Sequence, residues 1–139
     1  MELKRVVVTG LGAVTPLGLN VDETWEALLN GVSGAGPITH FDASQFKTQF
    51  ACEVKNFDPT LYLDKKEVRK FDRYAQFAVA AAKEAVGDSA LDLEKVDKNR
   101  VGVIFAAGIG GIRTFEEEVG GYFTNIERGP KFNPFFIPK

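Results

Sequence analysis

The apolar positions of this chain follow two patterns. Val6-Val-Val-Thr9 and Val101-Gly-Val-Ile-Phe-Ala-Ala107 are apolar runs without alternation. Such runs predict strands covered on both faces, as in a parallel sheet packed between helices. Each is closed by a glycine turn, Gly10-Leu-Gly12 and Gly108-Ile-Gly-Gly111, and a helix is expected after each turn. The first helix is predicted over Val21–Asn30. Asn20 is its N-cap, Glu23 is placed to reach back to the cap's N–H, and Gly31 supplies a left-handed stop. Trp25, Leu28 and Leu29 give that helix one apolar face.

Between these runs the pattern is mixed. Ser33–Pro37 has no periodicity and reads as a loop, and irregular chain surrounds Phe41-Asp42. Phe50–Val54 alternates enough for a short edge strand. Pro59 opens a helical turn, and Asp64 then caps a long helix from Lys65 to about Val86, about 30 Å at 1.5 Å per residue, with Gly87 as its end. Its first turns are charged, whereas from Tyr74 to Ala82 the only polar side chain is Gln76, which predicts burial on every side. A polar connection, Asp88–Arg100, leads to the second apolar run. A last helix is predicted from Ile112 to about Ile126, with Glu116, Glu117 and Glu118 in its early turns. The final segment, Arg128–Lys139, is unusually apolar for a chain end, with Phe132, Phe135, Phe136 and Ile137 beside three prolines. Pro138 suits a helix's first turn, so the segment reads as the threshold of a further element.

Strand, glycine turn, helix is also the plan of phosphate-binding loops. Here the third glycine position holds Thr15 in the first turn and Arg113 in the second; Pro16 disturbs the helix start, and no Gly-Lys-Ser/Thr follows. Glycines serving tight turns and close packing account for both turns better than a nucleotide site does.

Composition narrows the rest. With 139 residues, 45% hydrophobic and 26% charged, the chain has the profile of one soluble globular domain. A net charge of −2 argues against a general nucleic-acid binder. No run approaches the roughly 20 apolar residues that span a bilayer. Met1–Arg5 leads into a strand, not a signal peptide, so a cytoplasmic protein is expected. Cys52 is the only cysteine and His40 the only histidine. Cys52 reads as a small buried hydrophobe in a strand, and His40 as a surface or capping residue. Together they cannot make up a metal site, and no catalytic set is visible. No cofactor is expected.

The start of the long helix carries the strongest chemical signal. Lys65 with Arg69, and Lys66 with Lys70, are like-charged i,i+4 pairs, and they sit at the end of the helix where the macrodipole disfavours cations. That arrangement fits an anionic partner and equally a solvated charged end.

Taken together, these stretches resemble the β-ketoacyl-acyl carrier protein synthases. The resemblance rests on Val6–Gly18, Gly31-Val-Ser-Gly34, Phe41-Asp42, Asp64–Arg73, Gly108–Gly111 and Asn133–Pro138, all in register over the whole chain and closest to the elongating type II enzymes. It implies an α/β, thiolase-like fold, two similar halves forming a five-layered α-β-α-β-α sandwich, in a homodimer. Residues 1–139 would be one N-terminal synthase domain, incomplete at its C-terminal end. It further implies a cysteine nucleophile that takes an acyl chain from acyl carrier protein. Two histidines then help decarboxylate malonyl-carrier protein, and the carbanion attacks the thioester. Those residues fall beyond Pro138, so Cys52 and His40 inherit none of their roles and the chain alone is expected to be inactive and poorly stable. What carries over is binding apparatus. Lys65, Arg69 and Lys70, with Lys66, Arg128 and Lys131 as weaker candidates, resemble the patch that docks the acidic carrier protein. Ile109 resembles the residue that gates the acyl pocket, and Phe136 a pocket-lining aromatic. A non-catalytic carrier-binding subunit and a nucleotide-binding module are the alternatives.

Overall fold

In the computed structural model, which describes residues 3–137, regular structure is mostly helical. The elements are α1 (Val21–Leu29), β1 (Ala35–Pro37), β2 (Phe50–Cys52), α2 (Lys65–Val68), α3 (Arg73–Asp88) and α4 (Ile112–Thr124). Single 3₁₀ turns lie at Pro59–Leu61, Lys98–Arg100 and Ile126–Arg128. Two compact units are formed, one from Met1–Asp58 with Ala80–Val96, the other from Pro59–Val79 with Asp97–Lys139. Pro138, expected to open a further element, lies outside the described residues.

In the first unit, β1 and β2 pair antiparallel with Ala35 opposite Cys52 and Pro37 opposite Phe50. The short edge strand was legible in Phe50–Val54. Its partner, in the Ser33–Pro37 loop, was not, because Gly36 and Pro37 mask a strand, and proline is tolerated only at such an edge. Cys52 is exposed on β2, which corrects the buried role expected for it. Asn20 caps α1 as expected, its Oδ1 accepting from the Glu23 N–H at 2.8 Å. Glu23 accepts from the N–H of Leu19 at 2.8 Å, one residue before the position expected. The apolar face of α1 is not covered: Trp25, Leu28 and Leu29 are each more than half exposed.

The glycine turn Gly10–Gly12 packs against the second half of α3. A Cβ on Gly12 would lie 1.9 Å from the Ala81 carbonyl oxygen, and one on Gly10 2.2 Å from that of Ala85. Only glycine permits this approach. Carboxylates of the same helix hold the turn from the side. Glu84 accepts from the N–H groups of Ala13 and Val21, both at 2.8 Å, and Asp88 from that of Leu11 at 2.8 Å.

The two unbroken apolar runs depart most from expectation. Among the described residues the one sheet is β1–β2, and Val6–Thr9 and Val101–Ala107 are unpaired coil. Val6 is 93% exposed and Ile104 96% exposed. A strand of a parallel sheet needs a neighbour in the hydrogen-bonding direction and helices on both faces. Neither run finds these among the described residues, so the sequence preference is expressed without its partners. The buried core is correspondingly small: Ala43, Phe57 and Ala80 in the first unit, Leu63, Gln76 and Thr114 in the second.

The single long helix expected from Lys65 to Val86 is two helices, α2 and α3, separated at residues 69–72. Asp64 caps α2, with Oδ1 accepting from the N–H groups of Lys66 and Glu67 at 2.7 and 2.8 Å. The Lys70 N–H tightens to the Glu67 carbonyl at 2.8 Å, a 3₁₀-type bond, and Phe71 keeps a helical bond to the same carbonyl at 3.2 Å; the next carbonyl, that of Val68, accepts from the Gln76 side chain. Asp72 restarts the helix by accepting from the Arg73 N–H. Arg69 keeps right-handed helical backbone angles (φ −73°, ψ −21°) and Phe71 still bonds to Glu67, so the like-charged neighbours seen in the sequence stay close at the end of α2. At its far end α3 runs through Gly87 to Asp88, and the left-handed residue that follows is Ala90, at φ 51°. Within it, Tyr74 is 40% exposed, so the stretch expected to be buried on every side is buried on part of its circumference.

Candidate functional site

All eight residues singled out by the sequence belong to the second unit. Lys65 and Lys66 stand on α2, Arg69 and Lys70 on the turn after it, and all four are exposed. Four cations face only the carboxylates of Asp64 and Glu67 within that segment, and Asp64 is engaged as the cap. The segment therefore presents a net positive face to solvent.

Three polar contacts fix this segment from beneath. Gln76, 9% exposed, donates its Nε2 hydrogens to the carbonyls of Val68 and Phe71 at 3.0 and 2.9 Å. In a continuous helix those carbonyls would accept from Asp72 and Ala75, so the Gln76 amide replaces bonds that the break removes. Asp72 also accepts from the buried Thr114 hydroxyl of α4 at 2.6 Å. These side chains, with Arg69, Arg73 and Arg113, line an open cavity of about 540 Å³. Arg113 pairs with Glu117 at 2.8 Å, and this hydrogen bond, aided by the Glu117 charge, raises the Arg113 pKa further.

Arg128 and Lys131 line a separate cavity of about 340 Å³ together with Glu117, Glu118, Tyr122 and Asn125. Two carboxylates stand beside these two cations, so their field is closer to neutral than that of the α2 segment. Ile109 lies in the second glycine turn and is 74% exposed. That turn is looser than the first: a Cβ on Gly110 would lie 2.6 Å from the Tyr74 side chain, and one on Gly108 would meet nothing within 4 Å. Phe136 is partly buried in an aromatic stack, 5.7 Å from the Phe132 ring and 6.0 Å from that of Phe115 on α4. The backbone N–H of Asn133 donates to Glu118 at 2.8 Å and ties this segment to α4.

His40 and Cys52 belong to the first unit. His40 Nε2 is 3.9 Å from Glu53, whose carboxylate accepts from the Thr39 hydroxyl and N–H at 2.6 and 2.9 Å. The Thr39 bonds hold the Glu53 carboxyl below the usual range. The amides of Leu11 and Ala13, which a phosphate would need, are taken by Asp88 and Glu84. That geometry weighs against a nucleotide at the first glycine turn. Among the described residues no group of three or more metal-ligating side chains could hold an ion, and no helix is long and apolar enough to cross a membrane.

A family model described as the beta-ketoacyl synthase N-terminal domain matches residues 3–131. This chain belongs to the beta-ketoacyl synthases. The synthase chain is 50% identical to the 3-oxoacyl-[acyl-carrier-protein] synthase 2 of Coxiella burnetii over 99% of its own length and 33% of the relative's. With the same-named protein of Vibrio harveyi the identity is 45%, again over 99% of this chain and 33% of that one. Among solved structures, a type II PKS acyl-carrier protein in complex with its ketosynthase aligns at a TM-score of 0.73 and 27% identity, covering 96% of this chain and 34% of that one. The fold is the thiolase-like one of these ketosynthases. The chain spans about a third of the length of the curated relatives it matches.

Sequence reasoning missed Gln76, Glu84 and the Asp72–Thr114 pair as structural contacts. For Gln76 the signal was present: a lone polar side chain in a long apolar stretch, which buried surroundings tolerate only when it is hydrogen-bonded. Glu84 and Thr114 carry no such pattern, because their partners are distant in sequence.

Proposed function

We propose that this chain is the N-terminal part of a 3-oxoacyl-[acyl-carrier-protein] synthase 2, a single synthase domain incomplete at its C-terminal end. The observation that carries the reading is 50% identity along 99% of the chain with an enzyme of that name. The complete enzyme elongates fatty acyl chains by decarboxylative Claisen condensation of an acyl-enzyme with malonyl-acyl carrier protein. It works in the cytoplasm as a homodimer and uses no cofactor. Within it, residues 1–139 supply carrier-protein docking and part of the acyl pocket.

Docking rests on Lys65, Lys66, Arg69 and Lys70. Long-range attraction by these cations speeds encounter with an acidic carrier protein and sets its orientation. The ketosynthase solved with an acyl-carrier protein supports the choice of partner. Arg128 and Lys131 contribute less, since Glu117 and Glu118 share their cavity. Ile109 gates the acyl chain and Phe136 lines its pocket.

The chemical step lies outside these residues. An acyl-enzyme needs an activated thiolate, and Cys52, the only cysteine, sits in the short hairpin, away from any helix N-terminus. The test is to incubate the purified 139-residue chain with acyl- and malonyl-carrier protein and analyse the products by mass. The proposal predicts carrier-protein binding without a β-ketoacyl product. A new carbon–carbon bond formed by this chain alone would overturn it.

A further inference from the structure

We infer that Gln76 is a positioning residue for carrier-protein docking: it holds the Arg69–Lys70 turn in the conformation that presents those cations. The inference rests on the docking role proposed above for Lys65, Arg69 and Lys70. Its own basis is the break between α2 and α3. A four-residue helix such as α2 has little stability of its own, because nucleation is costly and few hydrogen bonds follow it. The turn after it holds Arg69 and Lys70, two exposed side chains with no ion pair among the described residues. Nothing in those side chains fixes where they point.

The backbone beneath them is fixed from one side. The carbonyls of Val68 and Phe71 flank the pair, and both accept from the single Nε2 of Gln76, at 3.0 and 2.9 Å. Gln76 is itself held on α3, its backbone N–H bonded to the Asp72 carbonyl at 3.1 Å. One planar amide therefore spans the turn and sets the separation of its two ends. Glutamine suits this role, since its two N–H hydrogens diverge and can serve two acceptors at once. A methionine of similar length would fill the space without either bond, and the two carbonyls would turn toward water or reopen as helix. In either case Arg69 and Lys70 would shift relative to Lys65 and Lys66.

The experiment titrates the 139-residue chain with acyl carrier protein by calorimetry, comparing wild type, Gln76→Met, Arg69→Ala/Lys70→Ala and the triple variant. Expected are a five- to tenfold weaker Kd for Gln76→Met with unchanged stoichiometry, and a triple variant no weaker than Arg69→Ala/Lys70→Ala, because the glutamine acts through those two cations. Partial unfolding would lower the stoichiometry at constant Kd, and that result overturns the inference. So does an unchanged Kd for Gln76→Met, or a loss that adds in full to the double variant. If Arg69→Ala/Lys70→Ala itself leaves binding unchanged, the docking reading fails instead. Should Gln76→Met not fold, the wild-type side-chain amide decides. Its Nε2 protons exchange slowly and shift when carrier protein is added if the inference holds; exchange at the rate of a free amide, or no shift, overturns it.

Discussion

Glu84 offers a direct measure of what keeps the first glycine turn on its helix. Both oxygens are used, one on the Ala13 N–H and one on the Val21 N–H, each at 2.8 Å, across sequence separations of 71 and 63 residues. Hydrogen bonds to a charged group contribute about 1.5–3 kcal/mol each. Both bonds are only partly buried, which puts them near the lower value, about 3 kcal/mol for the pair. Glu84→Ala removes both and Glu84→Gln removes one, leaving an NH₂ group facing an N–H donor. Since about 1.4 kcal/mol is a factor of ten, protection of the Ala13 and Val21 amides against hydrogen exchange should fall about a hundredfold in Glu84→Ala. In Glu84→Gln one amide should lose about tenfold and the other little. The Leu11 amide, bonded to Asp88, is the internal control and should change far less. Equal exchange at Ala13 and Val21 in wild type and Glu84→Ala would refute the reasoning, because the turn would then be held by packing alone.

Three further outcomes follow from the same geometry. Gly12→Ala should destabilise the first unit by about 2–3 kcal/mol or more, since its Cβ would meet the Ala81 carbonyl at 1.9 Å; an unchanged urea midpoint would contradict this. Glu53, held below the usual range by Thr39, stabilises the hairpin above the ordinary glutamate pKa, and that contribution is lost as pH falls through the lowered folded value. An acid titration of hairpin chemical shifts should therefore have its Glu53 midpoint below the ordinary glutamate value in wild type and closer to it in Thr39→Val. Thr114→Val leaves Asp72 without its 2.6 Å hydroxyl partner and should lower the melting temperature; no change would show that the bond between α4 and the α2–α3 break contributes nothing.

The sequence was most informative where structure is local. Asn20 and Asp64 cap the helices assigned to them, and Gly31 has the left-handed φ of 64° expected of a helix stop. Local chemistry also identified Phe50–Cys52 as a short strand. The failures lie where a partner decides the outcome. Val6–Val8 and Val103–Phe105 have strand sequences, yet a strand exists only once another strand accepts its hydrogen bonds. Trp25, Leu28 and Leu29 have helical spacing but meet no covering surface among the described residues. The single helix from Lys65 failed for a different reason. Propensity favours continuity through Val68–Asp72, and the Gln76 and Thr114 side chains, together with the Asp72 carboxylate on the Arg73 N–H, stabilise the break. The candidate docking segment drew attention as a charge conflict, since the cations at 65, 66, 69 and 70 are placed against helix stability. The break that follows those cations could not be read from spacing.

The docking role of the α2 segment is the centre of the functional account, and charge reversal tests it most directly. Binding of acyl carrier protein to the 139-residue chain should be measured at low and high salt, for wild type and for Lys65→Glu/Arg69→Glu. The account predicts salt-sensitive binding in wild type and loss of measurable binding in the double variant even at low salt. Unaltered affinity in the double variant, with the same salt dependence as wild type, would contradict it.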